Sequence, residues 1–241
     1  MPAPRYSIEE QEQRILDAAT ACIMESSILD FKMSAIAKGA GISMGSVYKH
    51  IQTKEDVLVA LATRVEAKAV EVFSEVLSLP YSTPERLMAI HLMSPEAVHQ
   101  CDFGPNLLML ASNEATLSRA SEKWLARLFK YQDQLEGLFH TLLGEAIDSG
   151  ELALSGESRE ALIDEIGISL WAMNCGFTQV SYELCSRRLS GIDIPPQYPL
   201  QPDSPIVKGL VRLVSTYEWR EPYREERTTE ICKVLEGLGY R

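Results

Sequence analysis

The chain has 241 residues, of which 46% are hydrophobic, and this composition excludes global disorder and suffices for one large domain or two small ones. No run of about 18 apolar residues could span a membrane, and the N-terminus has no apolar stretch typical of a signal peptide. The net charge of −11 argues against DNA binding by the whole surface. The five cysteines are scattered and form no CxxC pair, so we expect reduced thiols, no zinc site, no cofactor and a cytoplasmic location.

Positive charge is concentrated in one short window of this acidic chain. Residues 32–54 contain four lysines and no Asp or Glu. Residues 1–64 contain 7 Lys and Arg against 8 Asp and Glu, a net charge of −1. Such a window is typical of a nucleic-acid contact, although a chance gap between acidic residues explains it equally well.

Helical periodicity runs through the chain, and no alternating apolar and polar run is long enough to indicate a sheet. Ser7 and Glu10 form a capping-box pattern in front of a first helix. Ser34 is expected to cap a short second helix that ends at Gly41, where a left-handed helix terminus favours glycine. Ser43 is expected to cap a third helix.

The rest of the chain is also predicted to be helical. A long helix is expected to begin after a cap at Thr53 and to run to Pro80. Later helices are predicted to start at the hydroxyl–proline pairs 83–84, 94–95 and 204–205, and to cover 124–147 with a stop at Gly150, 162–184, 205–219 and 225–239. The proline-rich segment between 190 and 205 is expected to be an extended loop.

Residues 41–50, GISMGSVYKH, allow two interpretations. They fit the G-x-S-x-G pattern of a nucleophile elbow, in which Ser43 would attack an acyl group. That motif needs a preceding strand and a histidine partner, whereas the preceding segment KMSAIAKGA has helical periodicity. The second interpretation is a helix-turn-helix in which Ser43 caps the last helix of the motif. We therefore do not expect an enzyme.

The apolar spacing around this turn favours the helix-turn-helix. The residues expected to face inward are Ile36, Ala37, Ala40, Ile42, Val47 and Ile51. The residues expected to face outward are Met44, Gly45, Ser46, Tyr48, Lys49 and His50. Small residues at the start of the last helix allow close approach to a DNA groove, and its free N–H groups attract phosphate.

Residues 33–58, MSAIAKGAGISMGSVYKHIQTKEDVL, resemble the DNA-binding signature of the TetR family of bacterial transcriptional regulators. The matching positions are Ile36-Ala37, Ala40-Gly41, Ser43, Gly45, Tyr48, His50 and Lys54-Glu55, and the resemblance extends over about residues 8–60. The departures from the family pattern are at Ser26-Ser27, Met33-Ser34 and Ile51, and none of them removes a contact chemistry. The resemblance implies an all-α fold, with an N-terminal three-helix helix-turn-helix DNA-binding domain at residues 1–53 and a C-terminal helical ligand-binding and dimerisation domain at residues 54–241.

The resemblance also implies a set of DNA contacts. Those expected to hold phosphates are Ser34, Ser43, Tyr48, His50, Thr53 and Lys54, and those expected nearest the base edges are Met44, Ser46 and Lys49, beside Gly45. Packing is the alternative for Tyr48, and a plain surface position is the alternative for His50. Arg5 is expected to be disordered, with an N-terminal arm on DNA as the alternative.

Dimers that read two half-sites are expected, because one such module gives little affinity. The residues expected at the dimer interface are Leu162, Ile166, Leu170, Met173, Val180, Leu184, Leu210 and Leu213, with intramolecular core as the alternative. The residues expected to line an inducer pocket are Met109, Asn113, Trp124, Trp171, Asn174 and Phe177, again with ordinary core as the alternative. Residues 99–102 have metal-ligand side chains without a recognised spacing, so no metal is expected.

Together these patterns predict a homodimeric, sequence-specific DNA-binding transcriptional regulator. We expect a repressor that an unknown small molecule releases from double-stranded operator DNA. The alternative is a ligand-binding or protein-interaction module with a degenerate helix-turn-helix. A mobility shift with a salt series distinguishes the two, since a DNA binder has a negative log–log salt slope.

Overall fold

The structure is a computed structural model that describes residues 6–99 and 101–241. Within these ranges the regular secondary structure is helical, apart from an antiparallel bridge between Leu152 and Trp219. The α-helices are α1 (Ile8–Glu25), α2 (Met33–Ala40), α3 (Met44–His50), α4 (Lys54–Leu77), α5 (Thr83–Leu92), α6 (Gly104–Ala111), α7 (Glu114–Leu117), α8 (Glu122–Asp148), α9 (Arg159–Ser186), α10 (Pro205–Val214) and α11 (Arg227–Leu238). The predicted all-α fold class is confirmed, and no described helix is both long and apolar enough to cross a membrane.

Local capping chemistry starts α1 and α3 and ends α2 as predicted. The Ser7 hydroxyl accepts a hydrogen bond from the Glu10 backbone N–H, and the Glu10 carboxylate accepts one from the Ser7 N–H, which completes the capping box of α1. The Ser43 hydroxyl accepts from the Ser46 N–H at 3.1 Å at the start of α3. Gly41 ends α2 with a φ of +68°, a left-handed conformation that side chains with a Cβ disfavour.

Two predicted caps are wrong. α2 begins at Met33, which packs on the core, so Ser34 lies in the first turn with its side chain exposed. α5 is capped by Ser82 rather than by Thr83. The Thr83 hydroxyl and backbone N–H instead donate to the Glu151 carboxylate, at 2.7 Å each. The Thr83 side chain therefore binds Glu151 and does not cap α5.

The chain divides into two compact units, and the described residues of the first lie within 6–68 and 99–132. It contains α1 to α3, most of α4, α6, α7 and the beginning of α8. The residues predicted to face inward around the turn are buried in its core, except Ile42, which is half-buried. Leu107 and Trp124 from later helices bury against the same core, so this unit is larger than the predicted domain of residues 1–53.

The second unit comprises residues 69–98 and 133–241 and has its own apolar core. Side chains from α5, α8, α9, α10 and α11 build this core, and fully buried examples are Leu87, Leu143, Ile166, Leu210 and Ile231. α10 ends at Val214 rather than at residue 219, because the chain turns there and the Trp219 indole N–H donates to the Val214 carbonyl at 2.7 Å. The predicted extended loop is confirmed over residues 192–203, which contain no helix.

Candidate nucleic-acid interface

The turn between α2 and α3 is set by Gly41 and supported by α1. The Arg14 Nε–H on α1 donates to the Ala40 carbonyl at 2.9 Å, and this carbonyl is one that the end of α2 leaves without a helical partner. Where α1 and α2 cross, a Cβ on Gly39 would lie 3.2 Å from the Ala18 Cβ. α1 therefore holds α2 at close range, and the Gly41 turn then fixes where α3 begins.

The outer face of α3 combines small side chains with an aromatic and a cationic one. Tyr48 and Lys49 are exposed, while Met44 and Ser46 are half-buried. A Cβ at Gly45 would have its nearest neighbour at 3.9 Å, so the first turn presents open backbone. Because this turn also carries no acidic residue, its free N–H groups can approach a polyanion.

The beginning of α4 follows α3 directly and carries Thr53 and Lys54. The Thr53 hydroxyl accepts from the Asp56 backbone N–H at 2.9 Å, so the predicted cap is confirmed. Lys54 is exposed, and its Nζ lies 4.9 Å from the centre of the Phe31 ring. Its ammonium group is therefore at the surface, where it can meet a phosphate.

His50 does not lie on the outer face, contrary to the prediction. It is 8% exposed, with Nδ1 3.4 Å from the Glu12 carboxylate and Nε2 3.3 Å from the Gln11 amide oxygen. The reason is helical spacing, since His50 lies one turn after the core residue Val47 and shares its buried side. The His50 ring therefore packs on α1, and we remove it from the predicted phosphate contacts.

Glu12 is the centre of an ionic cluster that the sequence did not indicate. Its carboxylate accepts hydrogen bonds from Lys123, from Arg127 at 2.7 Å and from His50. Burial alone would raise the pKa of Glu12, but these hydrogen bonds outweigh burial and lower the pKa from 4.5 to about 2. Lys123 and Arg127 lie 111 and 115 residues further along the chain, so no local pattern could reveal the cluster.

The six residues predicted to line a pocket are divided equally between the two units. In the first unit Met109 is exposed, Asn113 caps α7, and Trp124 is buried with its indole N–H donating to the His50 carbonyl at 2.9 Å. Of these three residues, Trp124 alone is among those that line a cavity of about 350 Å³ in this unit. In the second unit Trp171 and Asn174 are exposed, while Phe177 is half-buried and packs edge-to-face on Tyr198 at 5.9 Å between ring centres.

Half of the predicted dimer-interface residues belong to the intramolecular core, which was the alternative interpretation. Leu162, Ile166, Leu170 and Leu210 are at most 4% exposed. Of the others, Val180 is 49% exposed and Met173, Leu184 and Leu213 are half-buried.

The side of α9 opposite to Ile166 is an exposed apolar surface that was not predicted from the sequence. Ile168 and Trp171 are 61% and 69% exposed, and Cys175 is also exposed. Their spacing of three and four residues places them on one side of the helix. This spacing is visible in the sequence and indicates an apolar side of α9. The predicted dimer interface instead used the longer apolar stripe on the other side of the helix.

Two remaining sequence features fall partly or wholly outside the described residues. Arg5 lies outside them, and so does Gln100 within the segment 99–102. Among the residues that are described, no three His, Cys, Asp or Glu side chains are grouped so that they could hold a metal ion.

Comparison with known proteins finds similar bacterial regulators. The family model described as "Bacterial regulatory proteins, tetR family" matches residues 15–61, which span α1 to the beginning of α4. The Fatty acid metabolism regulator protein of Bacillus subtilis (strain 168) is 28% identical over 170 residues, covering 67% of this chain and 83% of the relative. The HTH-type transcriptional regulator SrpR of Pseudomonas putida is 28% identical over 148 residues, covering 61% of this chain and 66% of SrpR.

Solved structures agree on the fold. SmeT, solved in complex with triclosan, superposes with a TM-score of 0.53 at 19% identity, covering 89% of this chain and 94% of SmeT. The matched family segment contains the Gly41 turn, the Ser43 cap and the exposed face of α3. The chain is therefore similar to the DNA-binding transcriptional regulators of the TetR family, and the family model covers its helix-turn-helix segment.

Proposed function

We propose that this protein is a homodimeric repressor that binds operator DNA through α3 and the beginning of α4, and that a small apolar molecule releases it. The observation that carries the proposal is the outer face of α3, the recognition helix. This face is free of acidic residues in its first turn and lies next to Lys54, in a chain whose net charge is −11. A local cationic surface of this kind concentrates phosphate contacts at one place.

The proposed contacts are of two kinds. Ser34, Ser43, Tyr48, Thr53 and Lys54 would bind phosphates, and Met44, Ser46 and Lys49 would lie nearest the base edges. Gly45 supports the second role, since a first turn without a side chain at this position lets the backbone approach the groove. Tyr48 is exposed on α3, which is an unusual position for a packing residue and favours a role at the interface.

The proposed dimer contact is the exposed side of α9. Ile168 and Trp171 give this side two large apolar side chains that the monomer leaves in water. Tryptophan is among the residues that contribute most at protein interfaces, because it buries a large area with little loss of conformational freedom. Two copies of the DNA-binding unit joined here would read two half-sites.

The proposed release follows from differential affinity. A ligand that binds better to a form unable to span two half-sites shifts the population away from DNA. SmeT binds triclosan, and the Bacillus subtilis relative is named for fatty acid metabolism. Both point to a small, largely apolar molecule as the class to test, since apolar walls with few polar groups are typical of such sites.

A mobility shift with DNA from the region upstream of the protein's own gene tests the proposal. The complex should weaken with rising salt, with a log–log slope of about −0.9 for each phosphate contact. Adding triclosan or a long-chain fatty acid should release the DNA if the ligand class is right. A protein that binds no duplex at low salt would support the alternative, a module with a degenerate helix-turn-helix.

A further inference from the structure

The C-terminal end of the recognition helix is bound by a residue from much later in the chain. Trp124, in the first turn of α8, is 3% exposed and donates its indole N–H to the His50 carbonyl at 2.9 Å. His50 is the last residue of α3, so its carbonyl is one of those that a helix leaves without an internal partner. Trp124 therefore donates a hydrogen bond to the last carbonyl of the recognition helix.

A buried carboxylate also connects the end of α3 to the beginning of α8. Asp56 is fully buried, and one of its oxygens accepts from the Gln52 backbone N–H at 2.8 Å. The other oxygen accepts from the Ser121 backbone N–H at 2.6 Å. Gln52 lies in the short connection after α3, and Ser121 directly precedes α8. One side chain thus ties the exit of the recognition helix to the beginning of α8.

The Glu12 cluster also holds the beginning of α8, through contacts with α1. Lys123 and Arg127 of α8 both donate to the Glu12 carboxylate of α1, and the His50 ring contacts it as well. Lys123 Nζ and the Arg127 guanidinium carbon lie 5.1 and 4.8 Å from the centre of the Trp124 ring. The indole is therefore held in one orientation, with its N–H directed at α3.

We propose that the first turns of α8 set the orientation of the recognition helix on DNA, with Trp124 as a positioning residue for operator recognition. This inference rests on the proposed DNA binding through α3. Trp124 lies outside residues 15–61, the segment that the family model matches, and it is buried away from solvent. Base recognition depends on hydrogen bonds within narrow distance and angle limits, whereas phosphate attraction tolerates a small rotation of the helix. Loosening this end of α3 therefore reduces specificity more than it reduces general DNA affinity.

The test compares two tryptophans that make the same kind of bond. Trp124→Phe keeps a buried aromatic ring and removes the N–H donor to His50. The matched control is Trp219→Phe, because Trp219 is 7% exposed and donates its indole N–H to the Val214 carbonyl at 2.7 Å in the second unit. Affinity is measured for a duplex that the wild-type protein selects from a random-sequence library, and for a scrambled duplex of equal length. Stoichiometric titration gives the active fraction of each variant.

Trp124→Phe should weaken binding to the selected duplex about tenfold, the order expected when a misoriented helix loses one contact to a base edge. Its affinity for the scrambled duplex and its salt slope should be unchanged. Trp219→Phe should leave both affinities unchanged, although both variants should lose a similar amount of stability. The specificity ratio is the decisive reading, since general destabilisation lowers the active fraction and leaves this ratio untouched.

Three outcomes would overturn the inference. Unchanged affinity of Trp124→Phe for the selected duplex is the first, and an equal loss on both duplexes is the second. If Trp124→Phe gives no active protein, the Glu12→Gln variant is measured in its place. An unchanged specificity ratio in Glu12→Gln is then the third outcome that would overturn the inference. A wild-type protein that selects no sequence would instead overturn the proposed DNA binding, and with it the inference.

Discussion

Replacing Glu12 by glutamine should destabilise the protein in a pH-dependent way. The Glu12 carboxylate is 13% exposed and is bound by two cations and a histidine. A pKa lowered from 4.5 to about 2 on folding corresponds to about 3 kcal/mol of stability at neutral pH, at 1.36 kcal/mol per pKa unit. Glu12→Gln removes the charge and should therefore lower the free energy of unfolding by up to about 3 kcal/mol at pH 7.

The sign of the pH dependence follows from the direction of the pKa change. Because the folded-state pKa is the lower one, the stabilisation is complete above the unfolded value of 4.5 and is lost as the pH falls towards about 2. The stability difference between wild type and Glu12→Gln should thus be constant from pH 7 to 5 and shrink steadily between pH 4.5 and 2. Urea unfolding followed by circular dichroism at each pH measures this difference.

Glu9→Gln is the matched control, since Glu9 is an exposed glutamate on the same helix. It should change the free energy of unfolding by less than about 0.5 kcal/mol at any of these pH values. A Glu12→Gln variant that is as stable as wild type at pH 7 would contradict this prediction. A stability difference at pH 3 equal to that at pH 7 would also contradict it, because the ionised carboxylate would then not be the source of the difference.

Three further changes test separate parts of the structure. Gly41→Ala should lower the free energy of unfolding by about 1–2 kcal/mol, because φ is +68° at this turn. Urea unfolding measures this difference, and an unchanged stability would show that the left-handed turn does not require glycine. Trp171→Glu should raise the dimer dissociation constant at least about thirtyfold, measured by analytical ultracentrifugation, and a dimer of undiminished affinity would place the interface elsewhere. Lys49→Gln should change the sequence preferred in selection from a random library, and the same consensus as wild type would remove Lys49 from the base contacts.

The features that could be predicted from the sequence depend on neighbouring residues. The Ser7–Glu10 capping box, the Ser43 cap and the Gly41 terminus each involve a side chain and a backbone group within about one helical turn. The helical periodicity of the residues before Ser43 likewise favoured a helix cap over a nucleophile at this position. The predicted cap at Thr83 was wrong because a distant partner, the Glu151 carboxylate, takes its hydroxyl.

The features that escaped prediction depend on contacts between distant segments. The His50 ring contacts Glu12 and Gln11 of α1, so its packing role depends on a distant segment of the chain. The role of Trp124 likewise follows only from its hydrogen bond to the His50 carbonyl, far from it in sequence. In α9 the difficulty is different, because apolar residues lie on both sides of the helix. Periodicity identifies each stripe, but it does not say that the one with Ile166 is core and the one with Trp171 is exposed.

The most direct test of the account is DNA binding by a variant that lacks two proposed phosphate contacts, Tyr48→Ala combined with Lys54→Ala. Affinity for the selected and the scrambled duplex should fall by the same factor, and the log–log salt slope should become less steep by about one. Lys233→Gln, an exposed lysine on α11, is the control and should bind both duplexes as the wild type does. Operator binding that remains intact in the Tyr48 and Lys54 double variant would contradict the assignment of α3 and the beginning of α4 as the DNA-binding surface.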